Sequence, residues 1–167
     1  MGVDGKDHGH PALRTGGPVS ATFAYEIRRL RGQEELDAAL ELRHEVFCVE
    51  QGVPEQEELD GRDHEGIHLV AVADGELVAT CRLLMVGTTA QFSRLAVRAD
   101  HRRQGIATAL LELAEAETRA AGGRRLVLHA QAYARELYEH AGYRPRGRLF
   151  WEAGIEHIAM EKQISLA

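Results

Sequence analysis

A chain of 167 residues is the size of one domain and can bury roughly two-thirds of the surface that its unfolded form exposes. Its 44% apolar and 28% charged content is that of a soluble globular protein, and no apolar run approaches the roughly 18 residues of a membrane helix or forms the core of a signal peptide. A net charge of −6 argues against a general nucleic-acid binder, which needs a basic face.

Residues 1–22 hold five of the seventeen glycines, two prolines and no periodic apolar pattern. They are expected to form a disordered tail before one domain spanning residues 23–167. His8 and His10 in this tail are read as solvated side chains, although a histidine pair can chelate a metal. From Tyr25 an alternating pattern predicts a strand ending at Gly32. Leu36, Ala39, Leu40, Arg43, Val46 and Phe47 then recur at helical spacing over about 15 residues. Residues 50–65 follow as an acidic loop, in which Glu50, Glu55, Glu57, Glu58, Asp60, Asp63 and Glu65 against Arg62 give a charge of −6.

Two strands, residues 67–73 and 77–86, flank Asp74-Gly75, a strong hairpin signal. A third strand covers residues 90–97. The helix after Gly105 places Ile106, Ala109, Leu110, Leu113, Ala114 and Ala116 on one side and stops near Gly122-Gly123, as a glycine-capped helix does. Residues 126–130 read as a buried strand, residues 134–140 as a short helix closed by Gly142, and residues 143–152 and 155–164 as a hairpin turning at Ala153-Gly154. Cys48 and Cys81 both sit in apolar surroundings and are expected to be reduced, buried thiols, with a cytoplasmic location as the default. The element order β-α-β-β-β-α-β-α-β-β predicts an α+β fold with a mixed, mostly antiparallel sheet of six to seven strands and helices on both faces.

The chain is organised around residues 94–111. A short apolar strand meets a basic turn, where Arg94, Arg98, Arg102 and Arg103 against Asp100 give about +3, and then a glycine-containing helix start. Such a start offers unpaired N–H groups and the positive end of the helix dipole, a setting for a phosphorylated ligand.

With Arg102-x-x-Gly105-x-Ala107 placed between strand and helix, the sequence resembles the GNAT superfamily of acetyl-CoA-dependent N-acyltransferases. Leu95, Ala96 and Val97 look like that family's bulged central strand. Gln131-x-x-Ala134-x-x-x-Tyr138-x-x-x-Gly142-Tyr143 is similar to its second cofactor-side motif. The ElaA-like branch matches further, through Arg43-x-x-Val46-Phe47-x-x-Glu50-Gln51, Glu57-x-x-Asp60-x-x-Asp63 with His68, Ala130-Gln131-Ala132, and Gly154-x-x-His157-x-x-Met160. That branch is bacterial and implies no particular acceptor.

The resemblance implies a GNAT-like sheet splayed between strands 4 and 5, with acetyl-CoA as co-substrate. Its pyrophosphate would lie on Arg102, Arg103, Gln104, Gly105, Ile106, Ala107 and Thr108, with one arginine turned inward and one toward solvent. The pantetheine arm would run as an added strand beside Leu95, Ala96 and Val97, near the Gln131 amide. Glycine at 105 admits close backbone approach, and Ala107 keeps the first turn narrow. It further implies direct attack by a primary amine of a small molecule or peptide in a ternary complex, and a homodimer through an edge strand or the final hairpin.

An amine of pKa about 10.4 must lose its proton first, which at pH 7 costs roughly 4.6 kcal/mol, so a general base is valuable. A backbone N–H near Val97 would hold the oxyanion. Tyr138 is the family's proton donor to the leaving thiolate, an uphill donation of roughly 2 kcal/mol for unperturbed groups. The central strand reads Ala90, Gln91, Phe92, Ser93, Arg94 and lacks the carboxylate that many family members place there. Glu50, Glu57, Asp60, Asp63, His68, His129 and His157 are therefore the candidate bases, with His68 taken as the catalytic choice. The acidic loop, as a negative rim, would attract a cationic amine. Asp60, Asp63 and His68 match no standard metal spacing, and no metal is expected. A non-catalytic acyl-CoA-binding or regulatory module on the same fold is the alternative function.

Overall fold

The computed structural model describes residues 24–165. The expected tail, residues 1–22, lies outside them, as do His8 and His10. Seven strands form one sheet: β1 (Glu26–Arg29), β2 (Ile67–Ala73), β3 (Glu76–Val86), β4 (Thr89–Val97), β5 (Arg125–Gln131), β6 (Arg144–Glu152) and β7 (Ile155–Gln163), in the order β1-β2-β3-β4-β5-β7-β6. Every neighbouring pair is antiparallel except β4–β5. Both hairpins turn where expected. Asp74 and Gly75 take φ of 51° and 77°, and Ala153 and Gly154 take 52° and 77°, the doubly left-handed geometry of a tight hairpin turn.

The main core lies between the sheet and α3 (Ile106–Ala120), where Ile106, Ala109, Leu110, Leu111 and Ala114 are buried against Leu69, Leu83, Phe92, Leu126 and Leu128. Leu110 is fully buried, so truncating it to alanine would cost about 2–5 kcal/mol. The apolar face of α3 is rotated slightly from the expected one: Leu111 is buried and Ala116 is exposed. The helix closes with Gly123 N–H donating to the Thr118 carbonyl (2.8 Å) and Gly122 N–H to Arg119 (3.0 Å), with Gly122 at φ 81°, a Schellman cap.

On the other face α1 (Gly32–Arg43) runs on as a π-helical segment, His44–Glu50, and packs Leu42 and Val46 against Ala96. Gly32 begins this helix and does not end β1. Glu35 secures its start by accepting from the Arg31 N–H (2.7 Å) and from both ends of the Arg28 guanidinium (2.9 and 2.8 Å). The acidic stretch is only partly a loop, since it contains a helical turn, α2 (Glu55–Glu58), and a 3-10 turn, Asp63–Glu65. Among the described residues no helix is long and apolar enough to cross a membrane.

Candidate active site

The parallel pairing of β4 with β5 is short. It runs from Thr89 opposite Arg125 to Phe92 opposite Leu128 and then stops, although β4 continues to Val97 and β5 to Gln131. The edges facing each other beyond that point are splayed, and a cleft of about 760 Å³ opens there. A bulge in β4 begins where the gap begins: Arg82 pairs with Ser93 and Thr80 with Ala96, so the strand carries an extra residue, and Arg94 takes φ of 58°.

At one end of the cleft lies the start of α3. Gly105 precedes it at φ 83°, no side chain caps it, and no acidic residue sits in its first turn. Gly105, Ile106, Ala107 and Thr108 line the cleft, so the unpaired donors of this start adjoin it. Arg102 is exposed but folds back onto the chain: its Nε donates to the Val97 carbonyl (2.8 Å) and its Nη2 meets Glu50 (2.7 Å). Arg103, at φ 64°, is exposed. Arg98 is paired with Asp100 and Glu76 and does not line the cleft, whereas Arg94, paired with Glu58 and Asp60, lines it together with Arg102 and Arg103.

Five of the seven acids of the acidic segment are paired with arginines. Arg43, whose side chain is 1% exposed, holds Glu58 (2.8 Å) and Asp63 (2.7 Å). Arg82, 2% exposed, holds Asp60 (2.8 Å) and Asp63 (2.9 Å). Arg94 adds Glu58 (3.0 Å) and Asp60 (3.3 Å). Three arginines thus balance three carboxylates, Glu65 pairs with Arg62, and Glu50 pairs with Arg102. Most of the expected negative rim is instead an ion-pair network, because the sheet brings Arg43, Arg82 and Arg94 onto it; Glu55 and Glu57 stay exposed and make no ion pair among the described residues, and Glu57 lines the cleft. Hydrogen bonds from Arg82 hold the Asp60 carboxyl well below the ordinary range. Burial pushes the Asp63 carboxyl up, but Arg43 and Arg82 outweigh it and the net shift is downward. Neither acid suits a base near neutral pH.

Tyr138 lies on α4 (Arg135–His140), which reaches the cleft wall after a 3-10 turn. The helix ends in a second Schellman cap, with Tyr143 N–H donating to the Tyr138 carbonyl (2.9 Å) and Gly142 N–H to Glu139 (3.0 Å). Tyr138 is 7% exposed, stacks edge-on against Tyr143 at 6.1 Å, and makes no side-chain hydrogen bond with the described residues. Burial raises its phenol pKa above the ordinary value.

The histidines separate. His68 does not line the cleft; its Nε2 meets the Asp63 carbonyl at 2.8 Å, which anchors the acidic segment to β2. His129 lines the cleft but is exposed and paired with Glu152 (2.9 Å). His157 is buried at the cleft wall opposite Gln131, with its ring stacked on Phe150 at 5.8 Å. Its Nδ1 lies 2.7 Å from the Ile155 carbonyl, an acceptor only, so Nδ1 carries the proton and Nε2 keeps the lone pair when the ring is neutral.

Of the residues expected from the sequence, the fold gathers Leu95, Val97, Arg102, Arg103, Gly105, Ile106, Ala107, Thr108, Gln131 and Tyr138 around one cleft. Ala96 turns away to pack on Leu42 and Val46, and the Gln104 carbonyl accepts from the Tyr25 hydroxyl (3.0 Å). Sequence reasoning missed Gln51, whose carbonyl oxygen accepts from the Gln131 amide (3.0 Å) and whose own amide reaches the Tyr133 hydroxyl (3.4 Å), linking the π-helical end to the tip of β5. Its presence beside Glu50 in one motif was the available signal. Cys48 and Cys81 are both free thiols, Cys81 being buried. Among the described residues no group of three or more His, Cys, Asp or Glu side chains is placed to hold a metal ion.

The chain is similar in sequence and fold to known proteins. The Acetyltransferase (GNAT) domain family matches residues 31–164. The uncharacterized N-acetyltransferase YjcF of Bacillus subtilis is 34% identical over 134 residues, covering 79% of this chain and 95% of its own length. An acyl-CoA N-acyltransferase from Pseudomonas aeruginosa superposes with a TM-score of 0.72 at 32% identity, and Escherichia coli ElaA with 0.74 at 26%; each alignment covers 84% of this chain and 99% of the other. The chain belongs to the GNAT acetyltransferase family.

Proposed function

We propose that this protein is an acyl-CoA-dependent N-acyltransferase that moves an acetyl group from acetyl-CoA to a primary amine by direct attack in a ternary complex. The observation that carries the reading is the gap between β4 and β5: it ends at the uncapped start of α3 and has the Tyr138 side chain in its wall. Both the N-acetyltransferase name of YjcF and the acyl-CoA N-acyltransferase title of the Pseudomonas structure, each above 30% identity, support the same chemistry.

The pyrophosphate lies on the backbone donors of residues 105–108, where neither a side-chain cap nor a first-turn carboxylate competes. The pantetheine amides pair with the free edge of β4 at residues 95–97, and Gln131, oriented by Gln51, faces the same arm. The acceptor nitrogen attacks the thioester carbonyl, forming the C–N bond and a tetrahedral oxyanion whose collapse breaks the C–S bond and expels the thiolate. A backbone N–H near Val97 holds the oxyanion.

His157, rather than His68, takes the amine proton on Nε2, because its ring lines the cleft and its Nδ1–H is fixed on the Ile155 carbonyl. Tyr138 protonates the departing sulfur. Burial raises the phenol pKa, and the same buried surroundings raise the proton affinity of the thiolate, so the gap between donor and acceptor does not widen in proportion.

Thermal shift with acetyl-CoA, followed by thiol release across a panel of primary amines, tests this reading. Stabilisation together with amine-dependent release is expected. Stabilisation without release on any amine would make the protein an acyl-CoA-binding module, and no stabilisation by any acyl-CoA would refute the cleft assignment.

A further inference from the structure

β4 changes character at Arg94. Its pairing with β5 ends at Phe92, two positions earlier, and its ladder with β3 gains an extra residue between Ser93 and Ala96. Arg94 sits in this bulge at φ 58°, a backbone conformation that glycine adopts freely and a side-chain-bearing residue resists. An arginine here is therefore held against local preference, and the holding contacts are explicit. Arg94 Nε lies 3.0 Å from Glu58 Oε2, while Nη2 lies 2.9 Å from the Glu58 carbonyl and 3.3 Å from Asp60 Oδ2. Glu58, 3% exposed, is gripped on the same oxygen by Arg43 Nε at 2.8 Å. Arg43 belongs to α1, the helix that leads into Val46 and Phe47 at the cleft wall.

Arg94 supplies the third positive charge against three carboxylates, but each acid has another arginine beside it. Without it Glu58 keeps Arg43, Asp60 keeps Arg82, and Asp63 keeps both. What Arg94 adds beyond that charge is a fixed geometry, a fork spanning a carboxylate and a carbonyl of one residue at the point where the sheet opens.

We propose that Arg94 is a positioning residue for acyl transfer: clamped on Glu58, it fixes the β4 bulge and so the width of the β4–β5 gap, and Arg43 on the same carboxylate locks that gap to the helix that brings Val46 and Phe47 to the cleft wall. This rests on reading the gap as the acyl-CoA cleft. Arg94 lines the same cleft, but its guanidinium is engaged by Glu58 and Asp60, so it acts through the backbone of Leu95 and Val97.

The test uses R94G and R94K. R94G relieves the backbone at 94 but leaves two arginines to three carboxylates, so the free protein melts below wild type. Its acetyl-CoA affinity falls about tenfold, and kcat with a productive amine falls by up to about a hundredfold, the scale of a misplacement near 1 Å. R94K keeps the charge but not the fork, and shifts both quantities the same way by less; it also serves as the readout if R94G melts early. Wild-type affinity and kcat in both variants would overturn the inference while leaving the transferase reading intact. If wild type binds no acyl-CoA, the transferase reading fails by itself, and amide exchange over residues 93–97 decides the inference: about tenfold faster exchange in R94G sustains the clamp, and unchanged exchange overturns it.

Discussion

Arg102 donates to the Val97 carbonyl at 2.8 Å and at the same time meets the Glu50 carboxylate at 2.7 Å. One guanidinium thus joins the signature turn, the end of the central strand and the end of the π-helical segment. In a protein that receives acyl-CoA, Glu50 competes with the pyrophosphate for Arg102 and repels it. Both members are about 40% exposed, with side-chain values of 41% and 38%, so the pair is worth about 0.2–1 kcal/mol. Glu50→Gln is expected to tighten acetyl-CoA binding by about 1.4- to 5-fold at low ionic strength. The gain shrinks as salt is raised toward 1 M, which calorimetric titration at two salt concentrations checks.

Tyr138 is expected to act late, on the leaving group. Tyr138→Phe removes the only polar atom of the side chain and keeps its packing on Tyr143, so acetyl-CoA affinity stays at the wild-type value while kcat falls by about a hundredfold or more. Because burial raises its pKa above 10.0, Tyr138 remains protonated up to at least that pH. Loss of its proton therefore contributes no descending limb to the rate between pH 6 and about 9.5. Steady-state kinetics of the variant and a pH profile of wild type check both statements.

His157→Gln tests the assignment of the base. Glutamine retains a side-chain amide and removes the basic nitrogen, so kcat should fall about a hundredfold with acetyl-CoA binding retained. His68→Gln, at a residue that does not line the cleft, should leave kcat within about twofold, with any effect confined to melting temperature through the Asp63 contact. The reverse pattern would restore His68 as the base.

Acid stability follows from the depressed carboxylates. The Arg28 fork holds the Glu35 carboxyl at about 2, against an ordinary value of 4.5. A carboxyl whose folded pKa is lowered stabilises the fold fully above its unfolded pKa, and that contribution is lost as pH falls from about 4.5 through 2. Asp60 and Asp63 shift in the same direction. The pair at Glu35 is partly exposed, so screening limits its worth to about 1 kcal/mol. Glu35→Gln should lower the melting temperature by about 2–4 °C at pH 7, and the difference from wild type should shrink toward zero near pH 2. A difference that grows on acidification would contradict the assignment.

What the sequence made legible was local. Asp74-Gly75 and Ala153-Gly154 encode their own turns, and Gly105 and Gly122 mark both ends of α3, so strand order and helix limits could be read within a few residues. The acidic stretch misled for a physical reason. Its partners lie far along the chain, Arg43 at 15 residues from Glu58, Arg82 at 22 from Asp60 and Arg94 at 36 from Glu58, so counting charge in a window registers the acids and misses the cations that fold onto them. His68 misled in the same way. Its position beside the acidic stretch was visible, but β2 turns its ring to the Asp63 carbonyl and away from the cleft. The link between Gln51 and Gln131 spans 80 residues and depends on a helix end that no local pattern specifies.

The central claim is that the gap beyond Phe92 and Leu128 receives the acyl-CoA arm, with its phosphates on the start of α3. Amide hydrogen exchange with and without saturating acetyl-CoA measures this directly, because the free edge of β4 and the uncapped helix donors exchange readily until a ligand bonds them. Slowed exchange is expected at residues 95–97 and 105–108, with β1 and β2 unchanged. Protection confined to other elements, or none at saturation, would contradict it.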